Sequence, residues 1–262
     1  MNTQHLRHVL GISGGKDSAA LAIYMRDKVP EMEYFFTDTG AELPEVYEYL
    51  DRLEDYLGKP IARLGLDRPF DHFLYQIHNG FLPSPNTRWC TREMKIKPFE
   101  NWVGEDQVIT YVAIRADEER DGYKSTKENI TPKFPFKEDG LVRSDIDRIL
   151  KQSGVGWPSY YDWRSRSGCY FCFFQRKSEW VALAERHPDL FEQAKAYEKI
   201  DPITGEGYTW SQSETLDQLI ERASEIKASA ARVAAVGKKR SWQELLNNID
   251  DVDDEACLVC SL

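Results

Sequence analysis

Short apolar runs alternate with amphipathic stretches through the first half of the chain. Residues 9–12, 34–37, 61–64 and 108–114 are dense in β-branched and aromatic side chains, which predicts four buried strands. Between them, residues 18–26, 44–56 and 70–78 read as helices. Pro44 suits a first helical turn, and Glu45 behind it favours the positive end of the helix dipole. Strand and helix in strict alternation predict an α/β fold, a doubly wound, mostly parallel sheet with crossover helices. Ligands collect at the carboxyl ends of the strands in such sheets. Ser13, the run Thr37-Asp38-Thr39-Gly40 and Arg115 all fall at such ends.

After residue 123 the regularity weakens. Pro132 and Pro135 mark residues 131–136 as extended or loop-like, whereas 144–152, 180–200 and 213–236 read as helical. Residues 250–255 are a nearly unbroken acidic run, followed by Cys257-Leu258-Val259-Cys260, the pattern of a mobile tail. This predicts an α/β core over residues 1–122, a cysteine-bearing region over 123–200 packed on it, a helical C-terminal extension over 201–246 and an acidic CxxC tail over 247–262.

The first strand breaks into Ser13-Gly14-Gly15-Lys16-Asp17-Ser18 and then enters a helix. Gly14 and Gly15 let the backbone bend and approach a ligand closely, and the helix that follows offers free N–H groups at its positive end. Lys16 adds a point charge, and Ser13 and Ser18 add hydroxyls. Asp17 beside a phosphate is repulsive unless a divalent cation such as Mg²⁺ lies between them. The segment therefore reads as a nucleotide site with bound metal, making residues 1–122 a nucleotide-binding core. Its spacing departs from the Gly-x-x-x-x-Gly-Lys-Ser/Thr loop of γ-phosphate NTPases.

Thr37-Asp38-Thr39-Gly40-Ala41-Glu42 ends the second strand, which sets Asp38, Thr39 and Gly40 beside the adenine and ribose. Arg115 and Arg120, after the fourth strand, suit an anionic substrate or a departing pyrophosphate. Cys90 and the pair Cys169-Tyr170-Phe171-Cys172 lie among arginines, which lower thiol pKa, and a two-residue gap lets both thiolates reach one metal. A three-cysteine iron–sulfur site, zinc, a redox dithiol and buried inert thiols are all compatible with that spacing. Aromatic and basic side chains crowd residues 160–180, able to shield a cluster or to stack bases and neutralise phosphates.

The chain has 262 residues, 41% of them hydrophobic, enough for one large α/β domain or a domain with an appendage. A net charge of −10 argues against broad nonspecific affinity for nucleic acid, so any such contact would be local or delivered by a partner. No apolar span is long enough to cross a bilayer and residues 1–8 lack a signal-peptide core, so the expectation is a soluble cytoplasmic protein with no membrane partner. Five cysteines are too few and too clustered for a secreted disulfide framework.

The six-residue loop resembles the pyrophosphate-loop superfamily of ATP pyrophosphatases and sulfonucleotide (phosphoadenosine phosphosulfate) reductases, whose fold is the HUP-type, adenine nucleotide alpha-hydrolase-like sheet. Thr37-Asp38-Thr39-Gly40 is similar to its second signature. At the third, this chain has Ile114 where the family usually has Gly. Within the superfamily, Phe36 to Gly40, Arg88-Trp89-Cys90-Thr91, Arg166-Ser167-Gly168-Cys169 and Phe173-Phe174-Gln175 look most like the adenylating component of bacterial DNA phosphorothioation systems.

That resemblance implies an antiviral defence enzyme that binds ATP and Mg²⁺, with Lys16, Asp17, Arg115 and Arg120 catalytic. It implies a cluster, of the 4Fe-4S kind, on Cys90, Cys169 and Cys172. It also implies a cysteine desulfurase as sulfur donor, and DNA presented with the help of other modification proteins. A sulfonucleotide reductase and a tRNA thiolation enzyme are the rival catalytic readings, and a nucleotide-sensing regulatory module the nonenzymatic one. The Glu-Cys-Gly nucleophile motif of the reductases is not found in this chain.

Overall fold

The computed structural model describes residues 6–65, 67–119, 125–166, 168–200, 207–211 and 214–236. They divide into two compact units: residues up to 73 with 89–169, and residues 74–88 with those from 170 onward. The predicted acidic tail, Arg120, Cys257 and Cys260 lie outside the described residues.

The first unit is built on a five-stranded sheet, parallel throughout. Its strands are β1 (Arg7–Gly11), β2 (Glu33–Thr37), β3 (Ile61–Leu64), β4 (Val108–Tyr111) and β5 (Ile130–Lys133), in the order β3-β2-β1-β4-β5. The chain steps outward from β1 to β3 and then returns to β4 on the other side of β1. This reversal opens a crevice at the carboxyl ends of β1 and β4.

Its helices are α1 (Lys16–Met25), α2 (Pro44–Leu57), α3 (Lys97–Val103) and α4 (Arg143–Ser153). On one face of the sheet Val9, Phe35, Val108 and Ile130 pack against Phe99 and Val103 of α3, and the rings of Phe35 and Phe99 stack at 4.8 Å. Side chains alternate along a strand, so Leu10 and Phe36, both buried, point to the opposite face. Ala19, Ala20 and Ala22 make α1 small on its buried side, which lets it lie close to its neighbours.

Three predicted boundaries move. The strand expected over 108–114 ladders only as far as Tyr111, although Val112 to Ile114 stay buried. Residues 130–133 form β5, a strand the prolines concealed; Pro132 is tolerated because β5 is an edge strand. The helix expected over 70–78 is a wide π-helical turn, His72–Ile77.

The second unit carries α5 (Lys177–Arg186) and α6 (Pro188–Ala196), a two-stranded antiparallel ladder of β6 (Lys199–Ile200) with β7 (Gly207–Tyr208), then α7 (Leu216–Glu221) and α8 (Ala223–Val236). The single helix expected over 180–200 is interrupted because Pro188 has no N–H for a continuing helix, and the one expected over 213–236 divides at Arg222. Its core is aromatic: Phe171 stacks on Trp210 at 5.3 Å, and the Trp210 indole donates to the Ala194 carbonyl at 2.8 Å. No helix among the described residues is long and apolar enough to cross a membrane.

Candidate functional site

Between β1 and α1, the segment Ser13 to Ser18 folds into a turn that wires itself together. The Ser13 amide donates to Ser18 Oγ at 3.1 Å, the two serine hydroxyls are 3.0 Å apart, and the Ser18 hydroxyl donates to the Gly15 carbonyl at 3.1 Å. Gly14 adopts φ +74°, and a Cβ there would lie 2.5 Å from Cγ1 of Val46, so the position requires glycine twice over. The turn ends at the N-terminus of α1, whose first N–H groups have no helical partner and favour an anion.

Lys16 sits at this helix start and is 8% exposed. Burial lowers the affinity of its amine for a proton, Asp17 opposes that, and Arg143 at the start of α4 adds to it. The net effect is a lowered pKa, set chiefly by burial.

Asp17 faces the end of β4. The Arg115 guanidinium donates to its Oδ1 at 3.0 Å and also pairs with Asp117 and Glu118, each at 2.9 Å. Burial alone would lower the Arg115 pKa, but Asp17 and Glu118 outweigh it and hold the guanidinium charged. The structure thus brings Asp17 and Arg115, two of the residues singled out in the sequence, into direct contact.

At the end of β2, Asp38 is buried and Oδ1 accepts from the Gly40 amide at 2.8 Å and from the Tyr47 hydroxyl at 2.9 Å. The Asp38 carbonyl would stand 3.1 Å from a Cβ on Gly65, just beyond β3. Next to this point is a cavity of about 790 Å³, lined in part by Leu64, Gly65, Arg68, Phe73, Lys97 and Trp102.

The turn carrying Cys169 joins the same unit. Its Gly168 carbonyl accepts from the Leu43 amide at 2.7 Å, and Cys169 forms an isolated antiparallel bridge with Glu42. A Cβ on Gly168 would lie 2.4 Å from Cγ2 of Val46. One methyl of Val46 therefore faces the phosphate loop and the other faces the residue before Cys169. The Glu42 carboxyl is buried, which raises its pKa, and it accepts from the Thr39 hydroxyl at 2.9 Å. Arg164, 2% exposed, donates to the Cys169 carbonyl at 2.6 Å.

Cys90, Cys169 and Cys172 are all unoxidised, and Cys169 belongs to the first unit whereas Cys172 belongs to the second. Among the described residues no three His, Cys, Asp or Glu side chains are placed to hold a metal ion.

Sequence reasoning missed Tyr160 and Tyr161 as parts of this site and treated them as shielding or base-stacking aromatics. The Tyr160 hydroxyl donates to the Gly14 carbonyl at 3.2 Å, and the Lys16 amide donates to the Tyr161 hydroxyl at 3.4 Å. Nothing in the local sequence pairs residues 160 and 161 with the loop 145 positions earlier; only the fold does.

A glycine-bent loop at a helix start, at the switch point of a parallel sheet, defines a nucleotide-type phosphate site in an α/β protein. Residues 7–137 match the phosphoadenosine phosphosulfate reductase domain, and the chain belongs to that family. It is 22% identical over 193 residues to an uncharacterized Methanocaldococcus jannaschii protein, covering 69% of this chain and 45% of that one. It is 26% identical over 250 residues to an uncharacterized protein of Escherichia phage 186, covering 74% and 75%. It is 29% identical over 131 residues to a tRNA-specific 2-thiouridylase of Lactococcus lactis, covering 43% and 35%. The chain thus spans less than half the length of the first and third of these relatives. A phosphoadenylyl-sulfate reductase structure from Candida auris aligns with a TM-score of 0.49 at 11% identity, over 63% of this chain and 82% of that one.

Proposed function

We propose that the chain is an ATP pyrophosphatase that adenylylates a DNA backbone phosphate so that sulfur can replace one of its oxygens. The observation that carries this is the shared side chain of Val46, which sets the phosphate loop and the Cys169 turn back to back in one unit. A reaction that cleaves a nucleotide and handles sulfur needs both within reach of one substrate.

In this reading the β and γ phosphates rest against the Ser13 to Ser18 loop and the start of α1. The adenosine extends past Asp38 towards the cavity beyond β3. Lys16, buried at the start of α1, neutralises charge on the departing pyrophosphate, and the incoming negative charge in turn holds its amine protonated. Asp17, at the mouth of the loop, is the residue that would hold Mg²⁺, and that cation supplies further charge neutralisation when bound. Arg115 orients Asp17 and, with Arg120, offers guanidinium groups to the phosphates.

The chemistry balances in two displacements. A nonbridging oxygen of the DNA phosphate attacks the α-phosphorus, forming a phosphoanhydride and releasing pyrophosphate. Hydrosulfide, released when a thiol reductant cleaves the persulfide of a cysteine desulfurase and is itself oxidised to a disulfide, then attacks the DNA phosphorus, and AMP leaves with the bridging oxygen. The product is a phosphorothioate. In this reading Cys169, beside Gly168 and Val46, is the thiol that handles sulfur, and no step runs through a cluster. Other modification proteins would present the DNA, since a charge of −10 gives the chain little attraction for it unaided. The reading places the protein in the cytoplasm.

The resemblance of the loop and cysteine segments to phosphorothioation enzymes supports the substrate, and similarity to a tRNA thiouridylase supports sulfur insertion after nucleotide activation. The family name favours a second reading, reduction of a sulfonucleotide to sulfite. Anaerobic assays separate them. Release of pyrophosphate from ATP, dependent on DNA and a sulfur donor and lost in Lys16→Ala, supports the first; sulfite release from adenylyl sulfate or its 3′-phosphate supports the second. Pyrophosphate release dependent on tRNA instead of DNA would reassign the acceptor.

A further inference from the structure

Tyr161 lies outside residues 7–137, the span that matches the family, and its ring hydroxyl reaches into the phosphate loop. The 3₁₀ turn Ser159–Asp162 carries it. Tyr160, stacked on it at 4.7 Å, ties that turn to the Gly14 carbonyl, while the Arg164 amide closes the turn on the Tyr160 carbonyl at 3.0 Å. Tyr49 of α2 supports the same region by donating to the Gly156 carbonyl at 2.9 Å. The hydroxyl is therefore held in place from the backbone outward.

Its surroundings are those of a phosphate oxygen. The hydroxyl stands 3.3 Å from where a Cβ on Gly15 would be, and Lys16 Nζ lies 5.5 Å from the centre of the ring. The first N–H of α1 points at it. It accepts from the Lys16 amide and shares a hydrogen bond with the Tyr160 hydroxyl, and a charged phosphate oxygen is a stronger acceptor for its hydrogen than a neutral phenol oxygen. Burial raises the Tyr161 pKa, so that hydrogen is retained across the physiological range. Asp17 and, less strongly, Arg143 at the start of α4 act on both Lys16 and Tyr161, so the two groups share one electrostatic environment.

Resting on the nucleotide reading above, we propose that Tyr161 is a phosphate-binding residue whose hydroxyl donates a hydrogen bond to an oxygen of the β or γ phosphate. The turn after α4 thereby supplies a wall of the phosphate site that the loop motif alone does not contain. A hydrogen bond to a charged group contributes more than one between neutral partners, so its loss corresponds to about a tenfold weaker dissociation constant.

The test uses the full chain, with inorganic pyrophosphate, ATP and adenosine titrated separately by calorimetry. Tyr161→Phe is expected to weaken pyrophosphate and ATP about tenfold and to leave adenosine unchanged. Replacing Tyr161 by 4-aminophenylalanine, which keeps a donor at the ring tip, is expected to restore most of the loss. Unchanged or tighter pyrophosphate binding in Tyr161→Phe overturns the proposal, the second case showing that the hydroxyl blocks the site. An equal loss for adenosine, or an aminophenylalanine variant as weak as the phenylalanine one, also overturns it by reducing Tyr161 to a structural role. Wild-type protein that binds neither pyrophosphate nor ATP sinks the nucleotide reading itself, a result distinct from every outcome for the variants.

Discussion

Gly14 and Gly168 lean on opposite methyl groups of one valine: a Cβ on Gly14 would stand 2.5 Å from Cγ1 of Val46, and one on Gly168 would stand 2.4 Å from Cγ2. The phosphate loop and the Cys169 turn are spaced by a single branched side chain, with no room on either side for even a methyl group.

Gly168 does not need a left-handed backbone, so its constraint is contact alone, whereas Gly14 at φ +74° carries conformational strain as well. Gly168→Ala is expected to destabilise by about 1–3 kcal/mol through overpacking. Val46→Ala should recover much of that in the double variant, but should recover little for Gly14→Ala, whose backbone penalty remains. Double-mutant cycles on denaturant unfolding measure both coupling energies; equal rescue at the two glycines refutes the distinction.

Arg115 holds Asp17, Asp117 and Glu118 together. Removing it leaves three carboxylates facing a site meant for phosphates. Arg115→Ala should reduce pyrophosphate release about a hundredfold, and Arg115→Lys should recover only part, because one ammonium cannot satisfy that fork. Full activity in Arg115→Ala would remove it from the site.

Burial lifts the Glu42 pKa above the ordinary 4.5. Below that value the carboxyl is protonated folded and unfolded alike. As pH rises past it, the unfolded chain releases the proton first, and the protein loses stability until the folded carboxyl also ionises. Glu42→Gln keeps an oxygen for the Thr39 hydroxyl and removes the titration. Its melting temperature should gain on wild type as pH rises through this interval, whereas parallel curves would show that Glu42 is not strained by burial.

Glu214 behaves in the opposite sense. The hydrogen bond from Arg222 leads in pulling its pKa down to about 2, with Lys177 assisting against the opposing effect of burial. Its contribution is complete above the ordinary 4.5 and fades as pH falls towards about 2. Thermal melts of Glu214→Gln should lie below wild type at neutral pH and converge with it in acid. A constant gap would assign the loss to packing.

How far the sequence could be read follows from where each constraint lies. The alternation of buried runs with helices, and the Ser13 to Ser18 loop, are local, so the parallel sheet and the phosphate turn were legible. β5 was not, since prolines disfavour a strand everywhere except at an edge, and only the assembled sheet shows which strand is the edge. Arg115 could be placed at the site because it follows a strand end, whereas its pairing with Asp17 appears only in the fold. Tyr160, Tyr161 and Val46 could not: their roles come from contacts across more than a hundred residues or from the width of a gap between two glycines. The spacing of Cys169 and Cys172 suggested a shared metal, and among the described residues no group of three ligating side chains is placed to hold one.

The tyrosine turn also separates inheritance from use. A protein sharing only the stretch that corresponds to residues 7–137 would possess the glycine bend and its lysine, yet have nothing equivalent to Tyr160 beneath the bend or Tyr161 across its mouth. Nucleotide affinities measured on such a cousin would not transfer to this chain, and a fragment cut at residue 137 would lose two of the hydroxyls that brace its own binding loop.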